Sequence, residues 1–500
     1  LLRGKEAKRM NNENNQKITG SKASPENFDS IGSAGSFEGP EGSKTLKGLN
    51  VSFLTLGCKV NQTESEALSQ LLAGEGYKTV QEADSADVII INTCTVTGTG
   101  SMKSRKLIRK MVKDHPGAII AVMGCYAQLS PDEVAGIDGV GLIMGTQDRS
   151  SLLQFLRDIQ DELAAGASAK RPVESLRPLR KVKSFEESVK YEELPLIKSG
   201  SRTRAMLKIQ DGCSQFCTYC IVPYTRGPSR SRDPENVYRE ARELLKAGYK
   251  EIVLTGIHIG AFGRDFADKN MNLGLLVSEL VKLPGMKRLR LGSIEPMEFS
   301  LELLEVIAVN AAVCPHFHIP LQSGSDKILG KMNRPYTTED YAALLKQIRA
   351  RVPDAAIASD IMVGFPGETD QDYQDGLRFI ESCEFSGIHV FPYSRRPGTP
   401  AADMPEQIPN RIKTARVREL IQIGQKSRRK YERKFIGKQL EILVENVDQD
   451  GRARGHTRNY LELRIPSSLA ESDLITYTVR EEDLVSVPGN AASREINEAE

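Results

Sequence analysis

The chain has no excess of charge of either sign: 68 Lys plus Arg stand against 66 Asp plus Glu in 500 residues. Bulk charge therefore points to no nucleic-acid partner, and any such site has to come from local clustering. No apolar run approaches the roughly 18 residues that cross a bilayer as a helix, so a membrane partner is not expected and the protein should be soluble. The first residues, LLRGKEAKRMNNENN, lack the apolar core of a secretory leader, and a cytoplasmic location is expected. Position 1 is Leu, which leaves the start of the gene product open. Cysteine is sparse, eight in all. Scattered cysteines in a reducing compartment suit metal ligation better than disulfides.

The length is too great for one ordinary core and predicts about three domains. Residues 1–47 are rich in Asn, Ser, Gly, Glu and Lys without apolar periodicity, so a disordered tail is expected there. A polar, charge-dense stretch, 166–198, predicts a linker between two α/β regions, 48–165 and 199–435. A small β region, 436–490, and a short tail, 491–500, complete the expected division.

Cys213, Cys217 and Cys220 lie in DGCSQFCTYCIVPYTRG with spacings 217−213 = 4 and 220−217 = 3. Three thiolates so spaced can hold three corners of a cuboidal four-iron cluster. With no fourth cysteine nearby, the last iron would take a ligand from outside the protein. A zinc knuckle or three chance cysteines in a turn are the competing readings. Zinc sites pair Cys-x-x-Cys motifs or add histidine, and the nearest downstream histidine is His258.

A second set is dispersed. Val51 to Leu56 lead into Gly57-Cys58, Val88 to Ile91 into Asn92-Thr93-Cys94, and Ala118 to Met123 into Gly124-Cys125, each followed by a helical pattern. The intervals, 94−58 = 36 and 125−94 = 31, each fit one strand-helix unit, so three strand ends of a parallel sheet could bring the thiols together. Three separately buried small hydrophobes would give the same pattern.

Between 200 and 400, six strand-like runs alternate with helical ones: Arg204 to Ile209, Glu251 to Thr255, Arg288 to Ser293, His316 to Leu321, Ala356 to Val363 and Ile388 to Tyr393. This predicts parallel strands with crossovers, a partial (β/α) barrel whose site lies at the carboxyl ends of the strands. Cys213, Thr255-Gly256, Glu295, Gln322-Ser323 and Gly364-Phe365-Pro366-Gly367-Glu368 fall at those ends, although the last could be a turn with glycines at positive φ. His316 and His318 share one strand face and are expected in the core or a pocket wall. Arg411 to Lys438 carry eleven cations against Glu419 and Glu432, with Val417, Leu420, Ile421 and Ile423 interleaved. A helix packed on one face follows, its basic face either solvated or tracking phosphates. Beyond Gly437, short runs at Leu440 to Val444, Tyr460 to Ile465 and Leu484 to Val487 predict a small antiparallel barrel. Arg452, Arg454, His456, Arg458 and Tyr460 would sit on one hairpin there, suited to RNA or simply exposed.

The runs TLGCKVNQTESE, INTCTVT and VMGCYAQ, followed by the Cys213 set, resemble the methylthiotransferase family of radical S-adenosylmethionine (SAM) enzymes from about residue 48 to the end. The resemblance implies two [4Fe-4S] clusters: an auxiliary one on Cys58, Cys94 and Cys125 that takes part in sulfur delivery, and a SAM-cleaving one on Cys213, Cys217 and Cys220. It implies SAM contacts from Thr255, Gly256, Glu295, Gln322 and Ser323, and core positions for Cys314 and Cys383. The closing domain resembles the RNA-binding TRAM β-barrel. TLGCKVNQTESE and LTGIHIGAFGRD look most like the branch acting on N6-threonylcarbamoyladenosine beside the tRNA anticodon; isopentenyladenosine in tRNA or a ribosomal-protein aspartate are the alternatives. A tRNA anticodon stem-loop, an electron donor such as flavodoxin or ferredoxin, and a monomeric state are the implied partners. A non-catalytic RNA-binding iron-sulfur protein is the reading from another class.

Overall fold

The computed structural model describes residues 49–164, 178–185, 190–194, 203–267, 270–448, 451–466 and 470–485. The expected tails 1–47 and 491–500, and most of 166–198, lie outside them. No helix among the described residues is long and apolar enough to cross a membrane.

The first layer is a parallel sheet of β1 (Asn50–Thr55), β2 (Lys78–Val80), β3 (Val88–Thr93), β4 (Ile119–Gly124), β5 (Val140–Met144) and β6 (Leu179–Lys181), in the order β2-β1-β3-β4-β5-β6. β3, VIIINT, is buried at every position, as a continuous apolar strand covered on both faces must be. The chain winds outward from β1 to β2 and then back across to β3, so the winding direction reverses between β1 and β3. In open α/β sheets the binding crevice opens at that reversal, beyond the carboxyl ends. β6 arises within the stretch expected to be a linker. Two of its three residues, Arg180 and Lys181, are charged and the strand is mostly exposed, as a protected edge strand is, and that hid it from a pattern reading.

The second layer comprises β7 (Ala205–Asp211), β8 (Arg230–Ser231), β9 (Glu251–Gly256), β10 (Arg288–Leu291), β11 (His316–His318), β12 (Ala356–Val363) and β13 (Gly387–Pro392). Two fragments, β10-β9-β7-β8 and β11-β12-β13, are linked by the parallel bridges Leu289↔Val313 and Ser293↔His318. Six strands therefore run parallel in chain order, as expected, with only β8 antiparallel at the edge. β11 stops short of Leu321 because Pro320 has no N–H to continue the ladder. Leu207, Ile209, Leu254, Leu289, Phe317, Ile357 and Ile361 face outward into the helices, meeting Val237, Leu244, Leu276, Leu303, Tyr341 and Leu345. By the period-two rule their neighbours line the interior. Helices Thr338–Arg351 and Asp370–Ser382 start at capping boxes, Thr337 with Asp340 and Thr369 with Asp372.

Helix Asn410–Arg433 packs along β13 and leads to β14 (Gln439–Val447), β15 (Arg452–Thr457), β16 (Glu462–Pro466) and β17 (Leu474–Thr478), an antiparallel sheet in the order β16-β15-β14-β17. β17 was not foreseen. The run expected from Leu484 contributes one bridge, Leu463↔Leu484, and residues past 485 lie outside the described set.

Candidate active site

Cys58 precedes helix Lys59–Gly74 at the end of β1, Cys94 follows β3, and Cys125 opens a short helix after β4. The three meet across the reversal point. Gly57, at φ +105°, lies so close to the second strand end that a Cβ there would stand 2.9 Å from Cys94 Cβ. Gly124, at φ +94°, would meet Asn92 Oδ1 at 2.4 Å. Glycine before the cysteine is thus a packing requirement on both strands. Asn61 ties the ends together, donating to Leu56 O at 2.9 Å and Thr93 O at 3.0 Å. Cys58 is exposed, Cys94 half-buried and Cys125 buried.

Against Cys125 lies a residue that pattern reading passed over. Arg226, 226−220 = 6 residues beyond Cys220, is fully buried and donates from Nε to Cys125 Sγ at 3.3 Å. Its other nitrogens bond Glu64 at 2.6 Å and Asn61 Oδ1 at 2.6 Å. Glu64 also receives Lys208 at 2.7 Å and Arg149 at 2.9 Å, while Asp211 receives Lys208 at 2.7 Å and stands 3.7 Å from Arg230. Glu192 pairs with Arg149. Four cations (Arg149, Lys208, Arg226, Arg230) thus face three carboxylates (Glu64, Asp211, Glu192), and a thiolate on Cys125 would balance the set. Burial alone would raise the Glu64 pKa, but the three cations around it outweigh that and hold it at about 2.

Cys213, Cys217 and Cys220 occupy the loop after β7. Cys213 Sγ accepts from Gln215 N at 3.4 Å and lies 3.5 Å from His258 Nδ1, whose Nε2 is 2.9 Å from Glu298. Cys217 Sγ accepts from Arg334 at 3.2 Å, and Arg334 also pairs with Glu295. Phe216, His258 and Gln322, at the carboxyl ends of three barrel strands, hold positive φ without being glycine. Such strain concentrates at functional sites.

The predicted pocket residues fall around this loop. Thr255 is buried at the end of β9, and Gly256 packs so tightly that a Cβ would reach Gln210 O at 2.6 Å. Glu295 is engaged by Arg334 beside Cys217, and Ser323 accepts from Ser325 N at 3.2 Å. Gln322 Oε1 and Gln210 Nε2 are buried without a partner, a costly state that a polar cofactor would relieve. None of the eight cysteines is in a disulfide. Burial pushes the Cys94 and Cys217 thiols up, Cys125 to about 11 and Cys220 to about 12. Buried thiols of this kind ionise together only around a positive centre, so both triads suit an iron cluster. Cys314 and Cys383 are buried.

The two stretches expected to face RNA also make contacts within the chain. In the basic run, acids pair with five of the eleven cations: Glu368 and Asp370 with Arg416, Glu384 with Lys430, Glu481 with Arg433, Asp354 with Lys438 and Glu432 with Arg428. The cationic hairpin faces the barrel. Tyr460 stacks between His316 and His456 at 4.4 and 4.5 Å, with Arg290 over its ring at 4.7 Å. Arg458 donates to Lys287 O at 3.3 Å and pairs with Glu441, and Arg454 lies by Asp448 and Glu462.

Comparison with known proteins adds two family matches: residues 207–380 to the radical SAM superfamily, and residues 50–145 to a family described as uncharacterized protein family UPF0004. The chain is 42% identical over 418 residues to threonylcarbamoyladenosine tRNA methylthiotransferase MtaB of Bacillus subtilis (strain 168), covering 83% of this chain and 89% of that one. It is 36% identical over 412 residues to a tRNA-2-methylthio-N(6)-dimethylallyladenosine synthase of Pelotomaculum thermopropionicum, covering 81% and 89%. Among solved structures, the radical SAM methyltransferase TsrM of Kitasatospora setae superimposes with a TM-score of 0.52 at 16% identity, over 71% of this chain and 77% of that one. That likeness concerns the fold.

Proposed function

This chain belongs to the tRNA methylthiotransferase family of radical SAM enzymes, and we propose that it converts N6-threonylcarbamoyladenosine beside the tRNA anticodon to its 2-methylthio derivative. The observation that carries the substrate is the 42% identity over nearly the whole of a threonylcarbamoyladenosine enzyme, against 36% for a dimethylallyladenosine synthase. Cys213, Cys217 and Cys220 would hold the cluster that binds SAM, and Cys58, Cys94 and Cys125 the auxiliary cluster. When bound, these groups supply a carbon-centred radical and the sulfur that replaces hydrogen on C2 of the base.

The chain's own contribution is positional. Arg226 fixes Cys125 against the short helix Val222–Arg226 that follows the other triad. Arg334, braced by Glu295, steadies Cys217, and His258, braced by Glu298, steadies Cys213. Thr255, Gly256, Gln322 and Ser323 would line the SAM pocket, the buried Gln322 Oε1 accepting from it.

The same reading divides the chain into an auxiliary-cluster domain over 48–165, a linker over 166–198, a radical SAM core over 199–435 and a TRAM-like domain over 436–490. It takes the protein as a cytoplasmic monomer reduced by a flavodoxin or ferredoxin. The test is a side-by-side assay of reconstituted enzyme on tRNAs carrying threonylcarbamoyladenosine or isopentenyladenosine, read by nucleoside mass analysis. A 2-methylthio product is expected from the first; preferential turnover of the second would reject the substrate assignment.

A further inference from the structure

Outside the two cysteine sets, one cluster of chemistry-bearing side chains sits on the barrel interior. Asp360 Oδ1 lies 3.0 Å from His318 Nε2 and 3.1 Å from His389 Nδ1. The three come from neighbouring strands: Asp360 of β12 is directly opposite His389 of β13, and His318 of β11 is opposite Ala358. Phe317, Ile357 and Ile361 on the same strands belong to the outer core, and Ile388 and Val390 pack against it. Alternation therefore turns His318, Asp360 and His389 to the inner face.

Their position along the strands matters. Asp360 O accepts from Gln322 N at 2.8 Å, which places the cluster just below the strand end where Gln322 lies. Beyond His389, the chain continues to Ser394 and Arg396, which bond Gly98 N at 2.9 Å and Thr95 Oγ1 at 2.6 Å beside Cys94. The strand bearing His389 thus runs from the interior to the first cysteine set. The His389 side chain is 70% exposed.

We propose that His318 and His389, held by Asp360, form the subsite that binds the carboxylate of the amino-acid arm on N6 of the substrate adenosine. This rests on the threonylcarbamoyladenosine reading above. C2 and C6 flank N1 of the base, so a base presenting C2 to the cysteine sets sends its N6 arm along an adjacent wall. In its doubly protonated form each ring donates one N–H to Asp360 and keeps the other for a charge-assisted hydrogen bond to a carboxylate. A substituent without one leaves them unpaired, which is how a polar site rejects an apolar analogue. Asp360 orients both rings and is a positioning residue; His318 and His389 make the contact.

The test uses reconstituted full-length enzyme and two anticodon stem-loop RNAs, one carrying threonylcarbamoyladenosine and one the same nucleoside with its carboxylate converted to the methylamide. Binding is read by fluorescence anisotropy and turnover by mass analysis. The wild type is expected to favour the acid by about 10–100-fold in kcat/KM, the worth of one or two charge-assisted hydrogen bonds. His389→Phe and His318→Phe should each cut that preference about tenfold, through KM and Kd rather than kcat. Asp360→Asn should cut it less. Because both RNAs are compared on one preparation, the ratio is independent of iron loading. An unchanged ratio in all three variants, with wild type still modifying the acid, overturns the subsite alone. No turnover of the acid by wild type overturns the functional reading and the subsite with it. A stoichiometric divalent ion retained by wild type and lost from Asp360→Asn, measured by elemental analysis, would assign the cluster to a metal instead and also overturn the proposal.

Discussion

Arg226 Nε donates to Cys125 Sγ at 3.3 Å across 101 residues of sequence, and the same guanidinium bonds Glu64 and Asn61. A cation donating to a ligand sulfur stabilises the thiolate and orients it, and losing such a partner typically costs 10–100-fold in metal affinity. Arg226→Lys keeps the charge beside Glu64 but cannot reach all three partners. Iron in the reconstituted variant is therefore expected to fall from about eight per chain toward about four, with the loss confined to the auxiliary set. Full iron in Arg226→Lys would show that the contact is incidental.

The two triads should be separable. Replacing Cys213, Cys217 and Cys220 together with Ala is expected to abolish SAM cleavage and leave about four iron atoms. Replacing Cys58, Cys94 and Cys125 should spare cleavage to deoxyadenosine and abolish methylthio transfer. Zinc in place of iron, or loss of both clusters from either triple variant, would contradict the assignment.

Acid sensitivity should trace to Glu64. Its pKa of about 2 in the folded chain lies below its ordinary 4.5, so ionised Glu64 stabilises the fold fully above about pH 4.5 and that stabilisation is lost as pH falls toward 2. Glu64→Gln should flatten the denaturation profile in that window. It should also cost about 3–5 kcal/mol at neutral pH, because Arg149, Lys208 and Arg226 lose a shared buried partner. Chemical denaturation across pH 2–7 reads both effects, and parallel profiles for variant and wild type would exclude Glu64 as the titrating group.

Arg411, Arg418 and Arg429 remain exposed on helix Asn410–Arg433. Their spacings, 418−411 = 7 and 429−418 = 11, are near-integral numbers of helical turns and put them on one stripe. Changing all three to Gln should lower the salt dependence of tRNA binding by about one slope unit per phosphate contact removed. Changing Arg428 and Lys430, which are paired with Glu432 and Glu384, should alter it far less. Equal effects from the two sets would mean that the ion pairs open on binding.

The barrel was legible because six short strand-like runs recur between helical ones, so each expected run falls within a few residues of an observed strand. The cysteine sets were legible because spacing alone suggests convergence, and the structure brings each set together. What stayed hidden depends on partners far away in sequence. Arg226 stood inside the quoted motif around Cys213, yet nothing local announces that its partners are Glu64 and Cys125. The cations of Arg411 to Lys438 looked available because Glu384, Asp354 and Glu481 lie outside that run. β6 is a short edge strand whose Arg180 and Lys181 leave no alternation to mark it, whereas β17 alternates from Ile475 to Thr478 and was passed over.

Tyr460 between His316 and His456 makes the C-terminal sheet a stopper in the amino end of the barrel. Arg288 and Arg290, both bonded to Glu251, also donate to Thr457 O beneath it. A chain ending near Gly437 would open that end to water, strip the two arginines of their backbone acceptors and expose the floor of the chamber in which a radical must be kept from solvent. The sheet therefore cannot be exchanged between enzymes as a portable RNA-binding tag. Chimeras that swap it should be built to carry the matching residues of β10 and β11 along with it.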